Sequence, residues 1–452
     1  MGLWAKLTQP VGLVFRSQEI AFAFTRYGLA GSLGALGWEA GKQGLRFVGV
    51  PAGKPQGFDA AFGRNLAVTF TKLGPTFIKL GQVLASRPDL VGEAVAEELR
   101  VLFDRVTPVS FSEIERILKR EFGAKKYAKA FRAVDPESLA SASISQTHKA
   151  LLADGTPVIL KVQKPGVDRR VRQDLQLLAG FVAPLDKVYP QLQLKMVFAD
   201  FERATLAEID YKQEAANIDK FRRNYRKIFS AANAVFPKYY PNLLTQHVIA
   251  LEPMRGHSVG ALKKGSTVAR AAAEQSLAAL FEQIFDHGFF HADPHAGNLF
   301  FQQDTGQVGF IDMGLVGQLQ PTDKKRFLKV ILAVLKRDRS KLARSLYDLG
   351  TPSKKTRYDA FEKDVDAMID EHAGKGAQIS LEKLVGQLLA VARKNGLYVP
   401  NRYVLLLRSC LVMEGVAKGL DPDISVARVA TPIVARSLAR SYNPLRFLQR
   451  KP

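Results

Sequence analysis

The stretch that decides the fold of this chain is Phe289–Gly314, FFHADPHAGNLFFQQDTGQVGFIDMG. It carries a carboxylate at Asp293, an amide at Asn298 in the spacing Asp-x-x-x-x-Asn, and a second carboxylate at Asp312 in Asp-Met-Gly. Mg²⁺ is a hard cation that proteins bind through oxygen atoms, chiefly those of carboxylates. The stretch therefore predicts a site built from oxygen-bearing side chains.

A short hairpin is predicted between these polar residues. Leu299–Phe301 and Val308–Ile311 are apolar runs of strand length, and the turn sequence Asp304-Thr305-Gly306 lies between them. Asp312 follows the return strand directly. The second carboxylate is therefore expected at the end of a β-hairpin.

Phosphoryl transfer from ATP needs these groups in this order. One carboxylate orients or deprotonates the acceptor, and another carboxylate with an amide oxygen holds Mg²⁺ against the phosphates. Protein kinases place them as Asp-x-x-x-x-Asn, a hairpin, and then Asp-x-Gly. We therefore expect ATP and Mg²⁺ as cofactors, Asp293 as a catalytic residue, and Asn298 and Asp312 as metal ligands.

The composition is that of a large protein with a basic surface. The 452 residues, 47% of them hydrophobic, suffice for one bilobal unit or two domains. The single cysteine, Cys410, excludes a disulfide framework or a zinc cluster and favours a reducing compartment. A formal net charge of +22 favours a polyanionic partner. Without a recognisable nucleic-acid-binding signature, we expect an anionic membrane surface and no nucleic acid.

Membrane attachment is expected to be peripheral. No segment reaches the roughly 20 apolar residues that span a bilayer, and the N-terminus lacks a cleavable signal. Residues 1–57 and the basic tail at 425–452 both show apolar residues at near-helical spacing beside basic ones. They predict amphipathic helices that lie either on a membrane or on the main domain. The expected location is cytoplasmic, at the inner (cytoplasmic) membrane.

A phosphate loop and its lysine are predicted upstream. Kinases place a flexible loop over the phosphates, followed by a strand whose lysine contacts them. Here the loop is predicted over 139–148, and Lys161 lies in the second of two strands, His148–Leu152 and Val158–Gln163. Alanine and serine cannot adopt the positive φ values open to glycine without strain, so the loop should be stiff. The loop residues expected to contact the nucleotide are Ala142, Ser143, Ile144 and Ser145.

One long helix is predicted over residues 198–225, after a break at Pro184. Kinases pair the phosphate lysine with a glutamate on one helix, and Glu214 is our candidate partner for Lys161. Glu208 does not share a helix face with Glu214, because their separation is not a whole number of turns. The two glutamates are therefore expected to meet different partners.

A hinge and a helical C-terminal half are predicted downstream. Glu252-Pro-Met-Arg-Gly256 follows the strand candidate His247–Leu251, and backbone groups of Glu252 and Met254 are expected to bind adenine. Beyond Gly314, helices are predicted at 324–337, 341–349, 358–372, 381–395 and 403–418. The Ala-Pro-Glu sequence of protein kinases is absent there, which argues against a platform for a protein substrate.

In combination, several motifs resemble those of the UbiB (also called ADCK) family of atypical kinase-like proteins. Over residues 60–425 they are KxGQ at 79–82, the loop ASASISQTH, KVQKPG at 161–166, Glu208-x-Asp210 with Glu214, HADPHAGN, IDMG, and LVMEGVAKGLDPDIS at 411–425. The resemblance implies an α+β, bilobal protein-kinase-like fold with a small β-containing N-lobe, a helical C-lobe, and an N-terminal helical extension covering the active site. The expected segments are 1–57, the extension 58–135, the N-lobe 136–252, the C-lobe 253–424, and the tail 425–452.

The resemblance also implies a regulatory role for the KxGQ helix. It implies that Lys79 and Gln82 meet Glu208 and Asp210 and occlude the usual protein-substrate cleft. Gly81 in the same helix predicts close approach by another element, since glycine inside a helix costs about 1 kcal/mol relative to alanine.

The family further implies a biological role. Its members support biosynthesis of ubiquinone or related isoprenoid lipids at a membrane, and show ATPase activity more readily than protein phosphorylation. We therefore expect a Mg²⁺-dependent ATPase or kinase whose partners include lipid or quinone intermediates and quinone-biosynthesis proteins.

Two other functions stay open at this point. Aminoglycoside and choline kinases share the H-x-D-x-x-x-x-N core, but they lack KxGQ and its acidic partners. A non-catalytic, ATP-gated scaffold or lipid-binding module is the second alternative, and the intact catalytic and metal-binding residues argue against it. Ser141 and Ser145 depart from the family's alanine loop, which leaves the nucleotide preference open.

Overall fold

Most of the described residues lie in helices, and the strands form small sheets of two to five members. The computed structural model describes residues 3–27, 29, 59–103, 107–188, 193–226, 233–353, 356–372 and 381–441. The predicted linker at 53–55 and the end of the tail lie outside these residues. The chain divides into an N-terminal unit, Met1–Tyr211 with Pro241–Ala250, and a C-terminal unit, Lys212–Tyr240 with Leu251–Pro452. The expected α+β class is confirmed.

The N-terminal unit opens with helices, and those up to residue 103 share one apolar core. They are α1 Leu3–Arg26, α2 Ala60–Leu73, α3 Pro75–Ala85, α4 Pro88–Val91, α5 Glu93–Glu98, α6 Phe111–Phe122 and α7 Ala124–Ala130, with a 3₁₀ turn at Leu99–Phe103. Asp59 caps α2, because its carboxylate accepts the backbone N–H of Phe62 at 2.8 Å. The pair Gly74-Pro75 ends α2 and starts α3. The core includes Leu66, Phe70, Leu73, Phe77 and Leu99.

A buried ion pair fixes α1 on the rest of this unit. The guanidinium of Arg16 donates to both carboxylate oxygens of Asp174, at 2.6 and 3.0 Å, and to the carbonyl oxygen of Leu73 at 2.6 Å. Arg16 is 5% exposed and Asp174 is 0% exposed. This face of the described N-terminal helix therefore packs on the main domain, while Phe15 and Phe22 are exposed.

A sheet with the strand order β1-β2-β3-β6-β5 follows. The strands are β1 Phe131–Ser141, β2 Ser145–Leu152, β3 Pro157–Gln163, β4 Ala234–Val235, β5 Tyr239–Leu244 and β6 Val248–Leu251, of which β4 joins another sheet. In the antiparallel pair β2–β3, Ser145 lies opposite Gln163 and Leu151 opposite Pro157. The predicted hairpin is confirmed, with Gly155 at a φ of 85° in its turn.

The phosphate loop is shorter than predicted. β1 continues to Ser141 and β2 starts at Ser145, so that the loop comprises residues 142–144 and not 139–148. The sequence did not indicate β1, because FRAVDPESLAS contains Asp135 and Pro136, which are rare in strands. As an edge strand of the sheet, β1 tolerates a proline that an inner strand would exclude.

The expected break at Pro184 is wrong. Pro184 lies inside α8, Val167–Val188, and therefore does not end the helix. It lies in the last two turns of α8, so the hydrogen bond that proline removes is lost close to the helix end.

The single helix predicted over 198–225 is also wrong, because two helices occupy it, α9 Leu194–Glu208 and α10 Tyr211–Arg226. At the break, the carbonyl oxygen of Ile209 accepts the side-chain amide of Gln163 at 2.6 Å, and the N–H of Tyr211 donates to Gln246 at 3.1 Å. Hydrogen bonds to the sheet thus replace helical ones. A helical sequence pattern does not reveal such tertiary partners.

The C-terminal unit contains the stretch Phe289–Gly314 and most of the remaining helices. Its further elements are β7 His257–Ser258, α11 Thr267–Glu282, β8 Phe289–His291, β9 Leu299–Gln302, β10 Gln307–Phe310, β11 Val316–Gln318, α12 Pro321–Leu335, α13 Arg339–Tyr347, β12 Thr351–Pro352, α14 Tyr358–His372, α15 Leu381–Lys394, β13 Leu397–Tyr398, α16 Asn401–Leu420 and α17 Val426–Ser441. β9 and β10 pair antiparallel, with Gln302 opposite Gln307 and Leu299 opposite Phe310. The predicted hairpin before Asp312 is therefore confirmed, as are the five predicted helices beyond it.

The basic C-terminal helix α17 packs on α11, and does not present a free apolar face. Val429 and Ile433 are buried, and the hydroxyl of Ser437 donates to the carbonyl oxygen of Phe285 at 2.9 Å. Its arginines Arg436 and Arg440 form ion pairs with acidic side chains at the end of α11 and just beyond it. Of the two alternatives for the described part of the tail, the packing helix is therefore correct. None of the described helices is long and apolar enough to cross a membrane.

Candidate active site

His291 connects the two predicted carboxylate positions of the C-terminal unit. Its Nδ1 accepts the backbone N–H of Asp293 at 3.1 Å, and its Nε2 donates to the backbone carbonyl oxygen of Asp312. This pattern requires the neutral imidazole with its proton on Nε2. Burial lowers the pKa of His291, which favours the same neutral form. The backbones of the HxD and DxG sequences are thus joined through one buried ring.

Asp293 and Asn298 lie in the turn between β8 and β9. The side-chain amide of Asn298 donates to the carbonyl oxygen of Asp293 at 3.3 Å. A carboxylate oxygen of Asp293 lies 3.0 Å from Nη2 of Arg408 on α16. The catalytic candidate is therefore held by an ion pair that the motif did not predict.

Asp312 starts a tight turn after β10. Its Oδ1 accepts the backbone N–H of Gly314 at 2.9 Å. A side chain at position 314 would place a Cβ 3.1 Å from that oxygen, which is tighter than most real contacts. The glycine of the Asp-Met-Gly sequence thus leaves room for the Asp312 carboxylate.

The helix α10 is fixed to this turn within the C-terminal unit. Asn217 donates from its side-chain amide to the carbonyl oxygen of Met313 at 2.9 Å. Glu214, in the first turn of α10, is 2% exposed, and a Cβ at Gly314 would lie 4.0 Å from its Oε2. The predicted helix glutamate therefore lies beside the Asp-Met-Gly turn.

Lys161 lies on β3 in the N-terminal unit, on the face opposite to the buried Val158, Leu160 and Val162. Its Nζ is 5.5 Å from the ring centroid of Tyr211. The pairing of Lys161 with Glu214 stays a prediction.

The short loop after β1 is held from both ends. The N–H of Ala142 donates to Ser145 at 2.9 Å, and the N–H of Lys164 donates to Ile144 at 2.8 Å. The side chains of Ile144 and Ser145 are buried, so they are not available to a nucleotide, whereas Ala142 and Ser143 are at least partly exposed. No loop residue has a positive φ, in keeping with the stiff loop expected for alanine and serine.

Part of the predicted KxGQ network is present in the N-terminal unit. Lys79 on α3 forms an ion pair with Glu208 at the end of α9. Gln82 instead donates its side-chain amide to the carbonyl oxygen of Leu102 at 2.8 Å, so its expected contact with the acidic pair is wrong. Gln82 lies one helical turn from the ion pair and faces the 3₁₀ turn beside α3.

Gly81 confirms the expected close approach, although the neighbour lies in the helical core. A Cβ at this position would clash with the side chains of Leu102 and Phe70. The glycine is therefore required by packing between α3, α2 and the 3₁₀ turn.

One backbone donor of the predicted hinge is already hydrogen-bonded within the C-terminal unit. The N–H of Glu252 donates to the carbonyl oxygen of Lys238 at 2.8 Å, so this donor is already engaged. The Met254 side chain fills the space beside Gly309, where a Cβ would clash with it. Adenine binding by the backbone of these residues stays a prediction.

Two functional candidates on α16 were not found from sequence. Arg408 reaches Asp293, and the hydroxyl of the adjacent Ser409 donates to the carbonyl oxygen of His291 at 2.7 Å. The sequence did contain a signal for Arg408, which is a charged residue in the apolar run LLLRSCLVM. An arginine is costly to bury there unless it has a partner.

The C-terminal unit offers groups that fit a magnesium ion bound with nucleotide phosphates. Asp312 supplies a carboxylate and Asn298 a side-chain carbonyl, which is the donor chemistry that Mg²⁺ accepts alongside phosphate oxygens. No cluster of three or more His, Cys, Asp or Glu side chains in the described residues could hold a metal by itself. Asn298 and Asp312 are both partly exposed, so that an ion can reach them.

A small strand-rich part, a hairpin carrying Asp-x-Gly and a helical C-terminal part define a protein-kinase-like fold. The family model of the ABC1 atypical kinase-like domain matches residues 101–346, and that of the UbiB helical domain matches residues 365–425. This chain belongs to the UbiB family of ABC1 atypical kinase-like proteins. The resemblance drawn from the motifs is thereby confirmed.

Curated relatives extend the match over most of the chain. A protein of Azotobacter vinelandii named probable protein kinase UbiB is 33% identical over 394 residues, with 85% of this chain and 73% of that protein covered. A protein of the same name in Cellvibrio japonicus is 32% identical, with 84% and 70% covered. An uncharacterised Synechocystis protein is 31% identical, and the chain spans 64% of its length.

Two solved structures also align with the chain. The Mycobacterium tuberculosis protein Rv3197, determined with erythromycin, is 22% identical, with a TM-score of 0.48, and 76% of this chain and 90% of that chain are covered. The Rio2 kinase of Chaetomium thermophilum, determined as an ADP/Mg²⁺-phosphoaspartate complex, is 13% identical, with a TM-score of 0.30, and 70% and 94% are covered.

Proposed function

We propose that this protein is a Mg²⁺-dependent ATPase or kinase-like enzyme that supports biosynthesis of ubiquinone or a related isoprenoid quinone at a membrane. The observation that carries the enzymatic part is the buried His291, which joins the backbones of Asp293 and Asp312. A neutral, buried imidazole fixes the relative position of the two loops without adding charge. The geometry is thus set before the nucleotide binds.

In this proposal each polar residue has one task. Asp293 orients the acceptor, which is water or a small molecule, while Asn298 and Asp312 hold Mg²⁺. When bound, Mg–ATP supplies the phosphoryl group and a cation that neutralises its charge. Lys161 contacts the phosphates and pairs with Glu214, whose helix is fixed to the Asp-Met-Gly turn through Asn217.

We propose that α3 regulates the phosphate loop. Leu80 and Val83 of α3 pack in the same apolar cluster as Ile144, the last residue of that loop. Lys79 in the same helix is held by Glu208 at the end of α9. A shift of α3 therefore moves the wall against which the loop packs.

The proposed location is the inner surface of the cytoplasmic membrane. A net charge of +22 attracts anionic lipid, and each cation near the surface contributes about 1 kcal/mol. The described part of α17 is packed and ion-paired, so it does not supply the contact. The exposed Phe15 and Phe22 on α1 are better candidates for the apolar part of that contact.

The relatives named probable protein kinase UbiB support the kinase-like activity, and membership of the UbiB family supports the proposed pathway. The test is twofold: ATP hydrolysis by the purified chain with Mg²⁺ and with EDTA, and quinone-intermediate profiling of a deletion strain. Mg²⁺-dependent hydrolysis together with an accumulated quinone precursor is expected. Absence of ATP binding contradicts the enzymatic part, and an unchanged quinone profile contradicts the pathway.

One observation favours a second candidate, an ATP-gated scaffold without turnover. The ion pair with Arg408 engages the carboxylate of Asp293, which a catalytic base needs to have available. A scaffold binds Mg–ATP yet shows no phosphate release. Wild type and Asp293→Asn then support the biological role equally well, and this comparison separates the two functions.

A further inference from the structure

A cavity of about 410 Å³ lies in the C-terminal unit, and none of the proposed catalytic or metal-binding residues lines it. It is bounded by the end of α10, the segment around β4, the hinge and the β9–β10 hairpin. Four cations line this basic cavity: Arg222, Arg226, Lys238 and Arg255. Glu252 is the one acid among the described residues of the lining.

Within the described residues, the cations of the basic cavity lack acidic partners. Arg222 donates to the carbonyl oxygen of Phe236 at 3.4 Å, and in the described part of the chain none of the four cations forms an ion pair. The carboxylate of Glu252 already accepts the backbone N–H of Lys238 at 3.3 Å. Like charges that converge on a concave surface raise the local positive potential and attract anions. The cavity is therefore suited to a ligand with more than one negative charge.

The lining of the basic cavity also includes an apolar wall. Phe236 is 7% exposed and stacks on Phe221 and Phe310, with ring centroids 4.8 and 5.5 Å apart. Tyr225 and Met254 continue this wall. A volume of this size is typical of small-molecule sites and exceeds that of a phosphate ion. The apolar wall thus leaves space for an organic group.

We propose that the basic cavity binds a phosphate ester that carries an apolar group. Arginine guanidinium groups form paired hydrogen bonds with phosphate oxygens, and three of the four cations are arginines. A phosphate dianion matches this excess of positive charge better than a carboxylate. The phosphate lies among the four cations, Arg255 included, and the apolar group packs on Phe236.

This site goes beyond the proposed function, although its lining includes Glu252 and Met254, whose backbone is predicted to bind adenine. None of the residues proposed to hold Mg²⁺ or to contact the nucleotide phosphates lines it. Binding of the ester therefore does not require Mg²⁺ or Asp312. That independence distinguishes failure of this proposal from failure of the proposed function.

The experiment measures binding of phenyl phosphate to the full chain by calorimetry at low salt, without Mg²⁺. Phenyl phosphate is expected to bind, phenol is not, and the Asp312→Asn variant is expected to bind as wild type does. Lys238→Gln combined with Arg255→Gln should weaken binding by roughly tenfold, since each removes a charge-assisted contact. Both side chains are exposed, so the fold is expected to persist. Arg223→Gln, on α10 but outside the lining, is the matched control.

Equal affinity of wild type and the Lys238→Gln/Arg255→Gln variant overturns the proposal, and so does loss of binding in Asp312→Asn. Flotation with phosphatidylcholine vesicles, with and without phosphatidic acid, identifies the source of the ester. Recruitment by phosphatidic acid that the double variant abolishes assigns a lipid headgroup. Binding of the soluble ester alone assigns a free metabolite, and either result supports the site.

Discussion

Nη2 of Arg408 lies 3.0 Å from Oδ1 of Asp293, with the two side chains 20% and 32% exposed. The next residue, Ser409, is hydrogen-bonded to the backbone of His291. Two consecutive residues of α16 therefore hold the segment 291–293 from the helical part of the C-terminal unit. Because residues 365–425 match the UbiB helical domain, this contact gives that domain a direct role in placing Asp293.

Arg408→Gln is expected to lower kcat for ATP hydrolysis by roughly tenfold to a hundredfold, with little change in KM for ATP. Without the guanidinium, Asp293 loses its fixed orientation toward the acceptor. Arg408→Lys should restore part of the activity, because it keeps the charge but not the fork geometry. Steady-state kinetics of both variants test this role.

Lys418→Gln on the same helix is the control for Arg408, since Lys418 pairs with Glu414. It should leave kcat unchanged. A rise in kcat on replacement of Arg408 has the opposite meaning: the ion pair then restrains Asp293, and the orienting role is wrong.

Asp312→Asn is expected to abolish Mg²⁺-dependent ATP binding, whereas Asp293→Asn should retain binding and lose turnover. The first change weakens the metal ligand, and the second removes the carboxylate that orients the acceptor. Thermal stabilisation by Mg–ATP and phosphate release measure the two steps separately. Asp304→Asn, exposed in the hairpin turn, is the control. Unchanged stabilisation by Mg–ATP in Asp312→Asn contradicts the metal assignment.

The sequence predicted structure correctly where the deciding residues lie close together in the chain. The β9–β10 hairpin and its position before Asp312 followed from turn and strand residues alone. It failed where tertiary contacts decide the outcome, as at the break after Glu208, where the backbone bonds to the sheet. Arg408 is distant in sequence from Asp293, so no local pattern could pair them. Gln82 was assigned by family resemblance, yet its partner is a backbone carbonyl in the adjacent turn.

Arg16→Ala is expected to lower the free energy of unfolding by about 3 kcal/mol, because it leaves Asp174 buried without its cation. Arg26→Ala, exposed at the end of α1, should change it little. The double variant Arg16→Met/Asp174→Leu should recover much of the loss, since apolar groups can replace a buried pair. Urea denaturation of all three variants provides the measurement. Equal effects of Arg16→Ala and Arg26→Ala would falsify the role of the pair.

The lowered pKa of the buried His287 predicts that the free energy of unfolding falls at acidic pH. Burial lowers its pKa, and Lys324 and Arg436 lower it further, against the opposite influence of Asp286 and Glu282. In the unfolded chain His287 takes up a proton near pH 6.5, whereas in the folded chain it does so only at a lower pH. The contribution of neutral His287 to the free energy of unfolding is therefore complete above about pH 6.5 and is lost as the pH falls below that value.

His287→Phe keeps a ring and removes the titration, so it should reduce the difference in unfolding free energy between pH 7.5 and pH 5.5. His257→Phe alters an exposed histidine and serves as the control. Denaturation curves at both pH values provide the comparison. The same pH dependence in wild type and His287→Phe shows that other groups cause it.

The ion pair between Lys79 and Glu208 predicts a regulatory effect of α3. Lys79→Ala should loosen α3, release the wall behind Ile144 and raise nonspecific phosphorylation such as autophosphorylation. Glu208→Gln should have the same effect, and the double variant should add little, because both changes break one contact. Lys72→Ala, exposed on α2, is the control. Labelled ATP reports the phosphorylation, and complementation of a deletion strain reports the biological role, which should be impaired.

A purely structural role for the pair has a different signature. Both side chains are partly shielded, at 17% and 26% exposure. Loss of the ion pair should therefore lower the free energy of unfolding by about 1 kcal/mol. If Lys79→Ala lowers the melting temperature but incorporates no more label than wild type, α3 only stabilises the N-terminal unit. If label rises while the melting temperature stays close to that of wild type, the ion pair restrains the loop. The two measurements on the same preparation therefore decide between packing and regulation.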